Sequence, residues 1–210
     1  MKRFVLACVL AFGFAVSAFG FIMYGDFAYS ERNGEITIWG YSIYATRDVV
    51  IPERINGLPV VAIGSGAFLN NQLTSVTIPN SVISIGGLAF ANNQLTSVFI
   101  PNSVSHIAED AFDDNVNKFR FEASRGQITI TGYTGTMMVI PERINGLPVV
   151  AIGDGAFFYN QLTSVSIPDS VTHIGMIAFA YNQLTSVSIP NSVIDIGGGA
   201  FDDNVTITRR

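Results

Sequence analysis

The sequence has little of the chemistry on which most enzymes and nucleic-acid-binding proteins depend. Its 210 residues include a single cysteine, Cys8, so one chain can form neither a disulfide nor a thiolate metal site. Charged residues account for only 13% of the chain, with 11 basic and 16 acidic side chains and a net charge of −5. The two lysines, Lys2 and Lys118, are too few to follow a phosphate backbone, which argues against a nucleic-acid partner. Apolar residues, by contrast, make up 49% of the chain and predict a folded core rather than disorder.

The sequence also lacks the residue arrangements that are typical of active sites. The two histidines, His106 and His173, occupy equivalent places, each before an isoleucine, and neither lies near a G-x-S-x-G pattern. A metal site would need about three or four converging ligands. Residues 197–199 are all glycine but lack the Lys-Ser/Thr of a phosphate-binding loop. We therefore expect no catalytic residue, no metal and no cofactor. Three acidic pairs lack the alternation of oxygen ligands that is typical of calcium-binding loops, so we expect them to lie at solvated corners. They are Glu109-Asp110, Asp113-Asp114 and Asp202-Asp203.

The N-terminus has the pattern of an export signal. Lys2 and Arg3 precede an apolar run over residues 4–23, and Val16-Ser17-Ala18 places small residues where a signal peptidase reads them. The pattern predicts a signal peptide over residues 1–18 and a secreted or cell-surface protein. Two alternatives stay open: an uncleaved membrane anchor, since the run is long enough to span a bilayer, and a lipoprotein modified at Cys8. In the anchor case, we expect this segment alone to contact the membrane.

Most of the remaining chain is a repeat of 22 residues. The motif L-T-S-V-x-I-P begins at Leu73, Leu95, Leu162 and Leu184, and an Ala-Phe dipeptide recurs in step with it. A fixed period of about 20–29 residues with this leucine spacing predicts a solenoid of leucine-rich-repeat coils. We expect a mainly β fold in which each coil contains short strands and corner turns.

A longer duplication contains these repeats. Residues 51–68 and 140–157 differ at one of 18 positions and are offset by 89 residues. We therefore predict two repeat blocks, residues 24–116 and 117–210, each opened by a β-hairpin. Asn-Gly at positions 33–34 favours the first hairpin because both residues tolerate positive φ, and Arg-Gly at positions 125–126 takes the same place in the second. The sequence leaves open whether the blocks form one solenoid or two.

Within one coil, the alternation of apolar and polar residues predicts which side chains point inward. In the coil from Leu73 to Gln94, Val76 and Ile78 should face the interior with Leu73, while Ser75 and Thr77 face the solvent. A proline follows and should end the strand, because it has no amide to donate. We expect the rest of the coil to supply a second inward set and a glycine corner whose dihedral angles other residues avoid. The inward set is Val82, Ile85, Ala89 and Phe90, and the corner is Gly86 and Gly87, with Pro79 ending the strand.

The full motif L-T-S-V-x-I-P-N-S-V-x-x-I-G-x-x-A-F resembles the BspA-like leucine-rich repeats of bacterial surface antigens, over residues 51–116 and 140–205. The resemblance implies an exported or surface-exposed protein, and some members of that family are adhesins that bind host extracellular proteins. Where the family often has cysteine shortly after Ala-Phe, this sequence has asparagine. We predict that these asparagines satisfy backbone groups at the corners rather than bind a ligand. They are Asn71, Asn93, Asn160 and Asn182.

The outward strand positions are the candidate binding surface. They are small and polar except for Phe99, which either anchors a partner or packs against a neighbouring segment. A flat, uncharged surface of this kind suits an extracellular protein or a glycan. We call these positions the strand-face residues: Ser75, Thr77, Ser97, Phe99, Ser164, Ser166, Ser186 and Ser188.

The two ends of a solenoid need cover because their coils lack a neighbour on one side. We expect an aromatic cluster to form the N-terminal cap, and the edge at Thr206 and Ile207 to associate with another chain. The function that we expect is a non-enzymatic binding or adhesion module, and the alternative is a structural protein that assembles with itself. The cap residues are Tyr24, Phe27, Tyr29, Trp39, Tyr41 and Tyr44.

Overall fold

The computed structural model describes residues 21–135 and 139–210, and the predicted signal peptide lies outside the described residues. The regular structure of the described part consists of β-strands and turns, so the prediction of a mainly β repeat solenoid is confirmed. Within these two ranges, no helix has the length and apolarity to cross a bilayer. The chain separates into two compact units. The first comprises the described residues up to Thr96 together with Ser103–Val116, and the second comprises Ser97–Asn102 together with Asn117–Arg210.

The first unit begins as an antiparallel hairpin and continues as parallel coils. Its strands are β1 (Ile22–Tyr24), β2 (Phe27–Arg32), β3 (Glu35–Tyr41), β4 (Asp48–Val50), β5 (Arg54–Ile55), β6 (Leu58–Ile63), β7 (Ser75–Thr77), β8 (Ser84–Ile85) and β10 (His106–Ile107). The antiparallel strands β1, β2 and β3 are followed in the same sheet by β6, β8 and β10, which pair in parallel. A second parallel pair joins β4 to β7, and β5 pairs with β6 in a short hairpin.

The second unit repeats this plan. Its strands are β9 (Ser97–Pro101), β11 (Asn117–Ser124), β12 (Gln127–Thr134), β13 (Arg143–Ile144), β14 (Leu147–Ile152), β15 (His173–Ile174), β16 (Ser186–Ile189), β17 (Asp195–Ile196) and β18 (Thr206–Arg209). The hairpin of β11 and β12 lies between β9 and the parallel strands β14, β15 and β17. A separate parallel pair joins β16 to β18.

Both predicted hairpin turns are present. Asn33 and Gly34 have φ of 55° and 79° between β2 and β3, and Arg125 and Gly126 have φ of 51° and 75° between β11 and β12. A second, short hairpin follows in each block and was not predicted, although its turn carries the same Asn-Gly signal. Asn-Gly at positions 56–57 and 145–146 forms those turns, again with positive φ at all four residues.

The predicted interior of the coil is confirmed, since all the residues assigned to it are buried. The phenylalanine of each Ala-Phe pair stacks on its counterpart one repeat away. Ring centroids lie 5.0 Å apart between Phe68 and Phe90, and the planes are 9° apart. In the second unit, Phe157 and Phe179 lie 4.9 Å apart at 14°. These stacked rings join consecutive coils, so each coil stabilises its neighbour through ring contact as well as strand pairing.

The corner glycines act differently from the prediction. Gly86 and Gly87 do not adopt positive φ; the left-handed residue at that corner is Leu88, with φ of 56°. Gly86 is required by close packing instead, because a Cβ atom there would lie 2.7 Å from the backbone nitrogen of Ser65 in the preceding coil. At the equivalent place in the second unit, a Cβ atom at Gly175 would lie 2.5 Å from the backbone nitrogen of Asp154. These glycines therefore allow adjacent coils to approach.

The N-terminal aromatic cap includes only part of the predicted cluster. Tyr29 and Tyr41 are buried, and the ring of Tyr41 lies 5.1 Å from that of Phe27 and 5.4 Å from that of Phe68. The hairpin thus covers the first ring of the phenylalanine stack. Trp39 is 40% exposed, but its ring covers Gly64 of the first coil, where a Cβ atom would meet it. The prediction is wrong for Tyr24 and Tyr44, which are 44% and 85% exposed.

Candidate ligand-binding surfaces

In the first unit, the strand-face residues Ser75 and Thr77 lie on β7 beside β4. Ser75 is opposite Asp48 in the register, and its hydroxyl donates to Asp48 Oδ1 at 2.9 Å. Thr74 donates to the same oxygen at 2.8 Å. These two hydrogen bonds, with that from Thr74 the stronger cause, lower the pKa of Asp48 below its ordinary value of 3.8. Thr77 is half-buried. The outward surface here therefore contains a carboxylate, which the strand pattern alone did not predict.

In the second unit, Ser97 and Phe99 lie on β9, and both are half-buried. β9 pairs in parallel with β11, and the register sets Phe99 opposite Phe119. Their ring centroids are 5.4 Å apart, and Phe119 belongs to the hydrophobic core of this unit. Of the two interpretations of Phe99 from the sequence, packing against a neighbouring segment is the one that the geometry supports.

The other strand-face residues of the second unit are exposed and carry hydroxyl groups. Ser186 and Ser188 lie on β16, opposite Thr206 and Thr208 of β18, and all four side chains are exposed. The two threonines were not predicted as part of this surface. One repeat earlier, Ser164 and Ser166 are exposed too, but the strand expected there is reduced to a single bridge from Ser166.

Two of the four corner asparagines, Asn93 and Asn182, bond to backbone groups of neighbouring coils as predicted. Asn182 Oδ1 accepts from the backbone nitrogens of Asn160 at 3.1 Å and Leu162 at 2.9 Å. Its Nδ2 donates to the carbonyl oxygens of Phe157 at 2.7 Å and Phe179 at 2.8 Å. Asn93 makes the equivalent four contacts in the first unit. One side chain thus satisfies backbone groups of two coils, as buried polar groups require.

Two of the acidic residues expected at solvated corners continue this hydrogen bonding. Asp202 accepts from the backbone nitrogens of Tyr181 at 3.0 Å and Asn182 at 3.3 Å. Asp113 does the same for Asn92 at 3.0 Å and Asn93 at 3.4 Å. The prediction of simple solvated corners is therefore wrong for both residues, because each is half-buried and receives the amides of the preceding coil.

The histidines are exposed and bonded locally. His106 Nδ1 lies 2.8 Å from the hydroxyl of Ser105, and His173 Nδ1 lies 2.8 Å from that of Thr172. In residues 21–135 and 139–210, no group of three or more His, Cys, Asp or Glu side chains is placed to hold a metal ion.

A group of exposed aromatic residues in the second unit was missed by the sequence analysis. We call Phe158, Tyr159 and Tyr181 the aromatic triad. The rings of Phe158 and Tyr181 meet edge to face at 5.2 Å, and Phe158 and Tyr159 lie 6.4 Å apart. Tyr159 also forms part of the wall of an open cleft of about 470 Å³. The other residues that line the cleft are Thr134, Gly135, Asn160, Gln161, Leu162 and Thr163.

The stacked coils and their outward hydroxyls define a repeat scaffold with a leucine-rich-repeat pattern. The BspA type leucine-rich repeat region matches this chain in six copies, over residues 46–134 and 148–209. The chain belongs to the BspA-type leucine-rich repeat family, and the predicted family membership is confirmed.

Solved structures of bacterial proteins are similar to this chain. A leucine-rich cell surface protein from Faecalibacterium prausnitzii is 28% identical, with a TM-score of 0.46, over 93% of this chain and 56% of its own. A leucine-rich repeat protein from T. pallidum is 24% identical over 91% of this chain and 67% of its own, with a TM-score of 0.28. One from Bacteroides capillosus is 22% identical over 90% and 98%, with a TM-score of 0.33. This chain thus spans little more than half of the Faecalibacterium protein. Comparison with curated proteins gives no match.

Proposed function

We propose that this protein is an exported, surface-associated and non-enzymatic binding module, whose outward strand faces contact an extracellular protein or glycan. The main support is the exposed hydroxyl surface of the second unit. Ser186 and Ser188 lie opposite Thr206 and Thr208 on paired strands, which places four small hydroxyls about 5 Å apart across the strands and about 7 Å apart along each strand.

This surface has the properties of a recognition face rather than of a reactive site. The four hydroxyls offer donors and acceptors whose short side chains lose little conformational entropy when a partner orders them. None of them is charged, so steering by charge would contribute little, and contact area and hydrogen bonds would set the affinity. A stable protein interface covers roughly 800 Å² of each partner, which several adjacent coils could supply.

The experiment is capture of the purified protein on immobilised extracellular-matrix proteins and glycans. The test variant carries Thr77→Lys, Ser166→Lys and Ser188→Lys, which place bulky charges on the strand faces. Phe99 is left unchanged, because a lysine there would meet the core ring of Phe119 and disturb folding. We expect saturable capture by the natural protein and at least a tenfold loss in the variant.

A matched control separates position from charge. Asn80→Lys, Ser103→Lys and Asn191→Lys add the same three charges at exposed turns outside the strands. Retained capture by this control and loss by the strand-face variant would support the proposal. Equal capture by both variants would place the contact elsewhere. Absence of capture by all three proteins would favour the self-assembly alternative, which predicts a mass in light scattering that rises with protein concentration.

A further inference from the structure

The second unit contains a second candidate ligand site, separate from the strand faces, at the corner that holds the aromatic triad. Tyr159 and Tyr181 are 72% and 66% exposed, and Phe158 is 42% exposed. Exposure of one large ring is ordinary in a soluble protein, but here the ring of Phe158 contacts those of both tyrosines, and the three form a patch that an uncovered surface usually avoids. The rings also adjoin a cleft, through Tyr159.

The first block provides an internal comparison. At an offset of 89 residues, the first block has Leu69, Asn70 and Asn92 in place of the three rings. The segments around these positions are otherwise closely similar in the two blocks, including the Gln-Leu-Thr-Ser-Val that follows each. The coil therefore folds without the rings, and their presence in the second block is not a requirement of the fold.

The backbone at two of these positions disfavours the rings. Tyr159 and Tyr181 have φ of 57° and 56°, in the left-handed region. Asn70 and Asn92 have nearly the same angles, 59° and 55°. Asparagine adopts this conformation more readily than tyrosine does. Folding alone would thus favour asparagine in the second block as in the first.

The cleft beside the triad is polar but uncharged. Its volume of about 470 Å³ falls within the range of about 300–1,000 Å³ that is typical of small-ligand sites. The exposed side chains of Thr134, Gln161 and Thr163 line it with hydroxyl and amide groups, and Tyr159 forms an aromatic wall. A ligand that suits this lining has hydroxyl groups for the polar side chains, an apolar face for the rings, and no net charge.

We infer that the aromatic triad and the adjoining cleft bind a neutral oligosaccharide built of β-linked pyranose units. A pyranose ring whose substituents are all equatorial has C–H groups on both faces and hydroxyls around its edge. The C–H face packs on an aromatic ring, while the edge hydroxyls bond to amide and hydroxyl side chains. The rings along the triad can contact successive sugar units, and the cleft holds the terminal one.

The experiment titrates the whole protein with cellohexaose and, separately, with the neutral hexamer of β-linked N-acetylglucosamine, by isothermal calorimetry. The test variant carries Phe158→Leu, Tyr159→Asn and Tyr181→Asn, which are the residues of the first block. Because asparagine suits the left-handed backbone, we expect this variant to keep the far-UV circular dichroism of the natural protein and to lose at least tenfold in affinity. The single variants Tyr159→Asn and Tyr181→Asn provide smaller steps if the triple variant folds poorly.

Two controls define the site. Tyr44→Asn removes a tyrosine that is 85% exposed in the first unit and should leave the affinity unchanged. The strand-face lysine variant should bind the oligosaccharide as the natural protein does, so the two proposals can fail independently. Absence of heat with both hexasaccharides at millimolar concentration, or equal affinity in the natural protein and the triple variant, would overturn the inference. Triad-dependent binding of decaproline in place of the sugars would assign the site to an extended peptide.

Discussion

Replacement of Asn93 by alanine should destabilise the first unit more than its small change in volume implies. The side chain accepts from the backbone nitrogens of Asn71 at 3.1 Å and Leu73 at 2.9 Å. It donates to the carbonyl oxygens of Phe68 and Phe90, both at 2.8 Å. Alanine removes these four bonds at once, together with a longer one from Nδ2 to the carbonyl oxygen of Ala91 at 3.3 Å.

The expected loss follows from those four backbone groups. A buried group left without its partner costs about 1–3 kcal/mol. Asn93 is half-buried, so water will reach some of the groups and restore part of the loss. We therefore expect Asn93→Ala to lower the free energy of unfolding by about 3–5 kcal/mol, a large part of the ~5–15 kcal/mol of a typical domain.

The assay is urea unfolding followed by the fluorescence of Trp39, the only tryptophan of the chain, which lies in the first unit. Asn115→Ala is the matched control, one repeat later at an exposed position, and should change the stability by less than about 0.5 kcal/mol. Asn93→Asp keeps the acceptor but sets an oxygen against two carbonyls, so it should also be destabilising. Equal stability of Asn93→Ala and Asn115→Ala would refute the reasoning.

Three further predictions concern single positions. Gly86→Ala should lower the free energy of unfolding by about 1–3 kcal/mol, because the new Cβ atom meets the backbone of the preceding coil. Gly198 has open space around it, so Gly198→Ala should change the stability by less than about 0.5 kcal/mol, and thermal unfolding compares the two variants. Arg125→Asn should stabilise the second unit by about 1 kcal/mol, measured by urea unfolding, since asparagine tolerates the φ of 51° that arginine now adopts; a lower stability would contradict this. Hydrogen bonds, chiefly from Thr74, lower the pKa of Asp48 in the folded state below 3.8. The ionised carboxylate therefore stabilises the fold at pH values above 3.8, and this stabilisation is lost as the pH falls through the folded-state pKa. Asp48→Asn should therefore reduce stability at about pH 7 and have a smaller effect at about pH 2, in urea titrations at both; an effect that does not change with pH would exclude this linkage.

The inward residues could be predicted because they depend on the repeat alone. In the coil from Leu73, an alternation of two residues sets Val76 and Ile78 on one face, whatever the neighbouring coils do, and both are buried. The role of Gly86 could not be predicted in this way. A side chain is excluded at this position because the backbone of Ser65 in another coil lies too close. Neither segment of the sequence specifies the distance between the two coils.

For a related reason, the sequence left open whether Phe99 contacts a partner or packs against a neighbouring segment. Its position in the repeat is outward, and the motif predicts exposure. The next strand in the sheet is β11 of the hairpin rather than a regular coil, and the register sets Phe119 directly opposite. Pairing registers between segments of different type are not determined by the period of 22, so the covering ring was not foreseen.

The duplication itself separates residues that serve the fold from residues that are free to serve a ligand. Between residues 51–68 and 140–157 the single difference is Ser65 against Asp154, and Asp154 Oδ1 accepts from the backbone nitrogen of Met176 at 2.8 Å. That change is accommodated at an exposed corner by a hydrogen bond between coils. Tyr159 is a difference of the opposite kind, since its side chain points to solvent and its backbone conformation suits asparagine better. A substitution that leaves most of its side chain in solvent and disfavours the local backbone supports the ligand site that we propose at the aromatic triad.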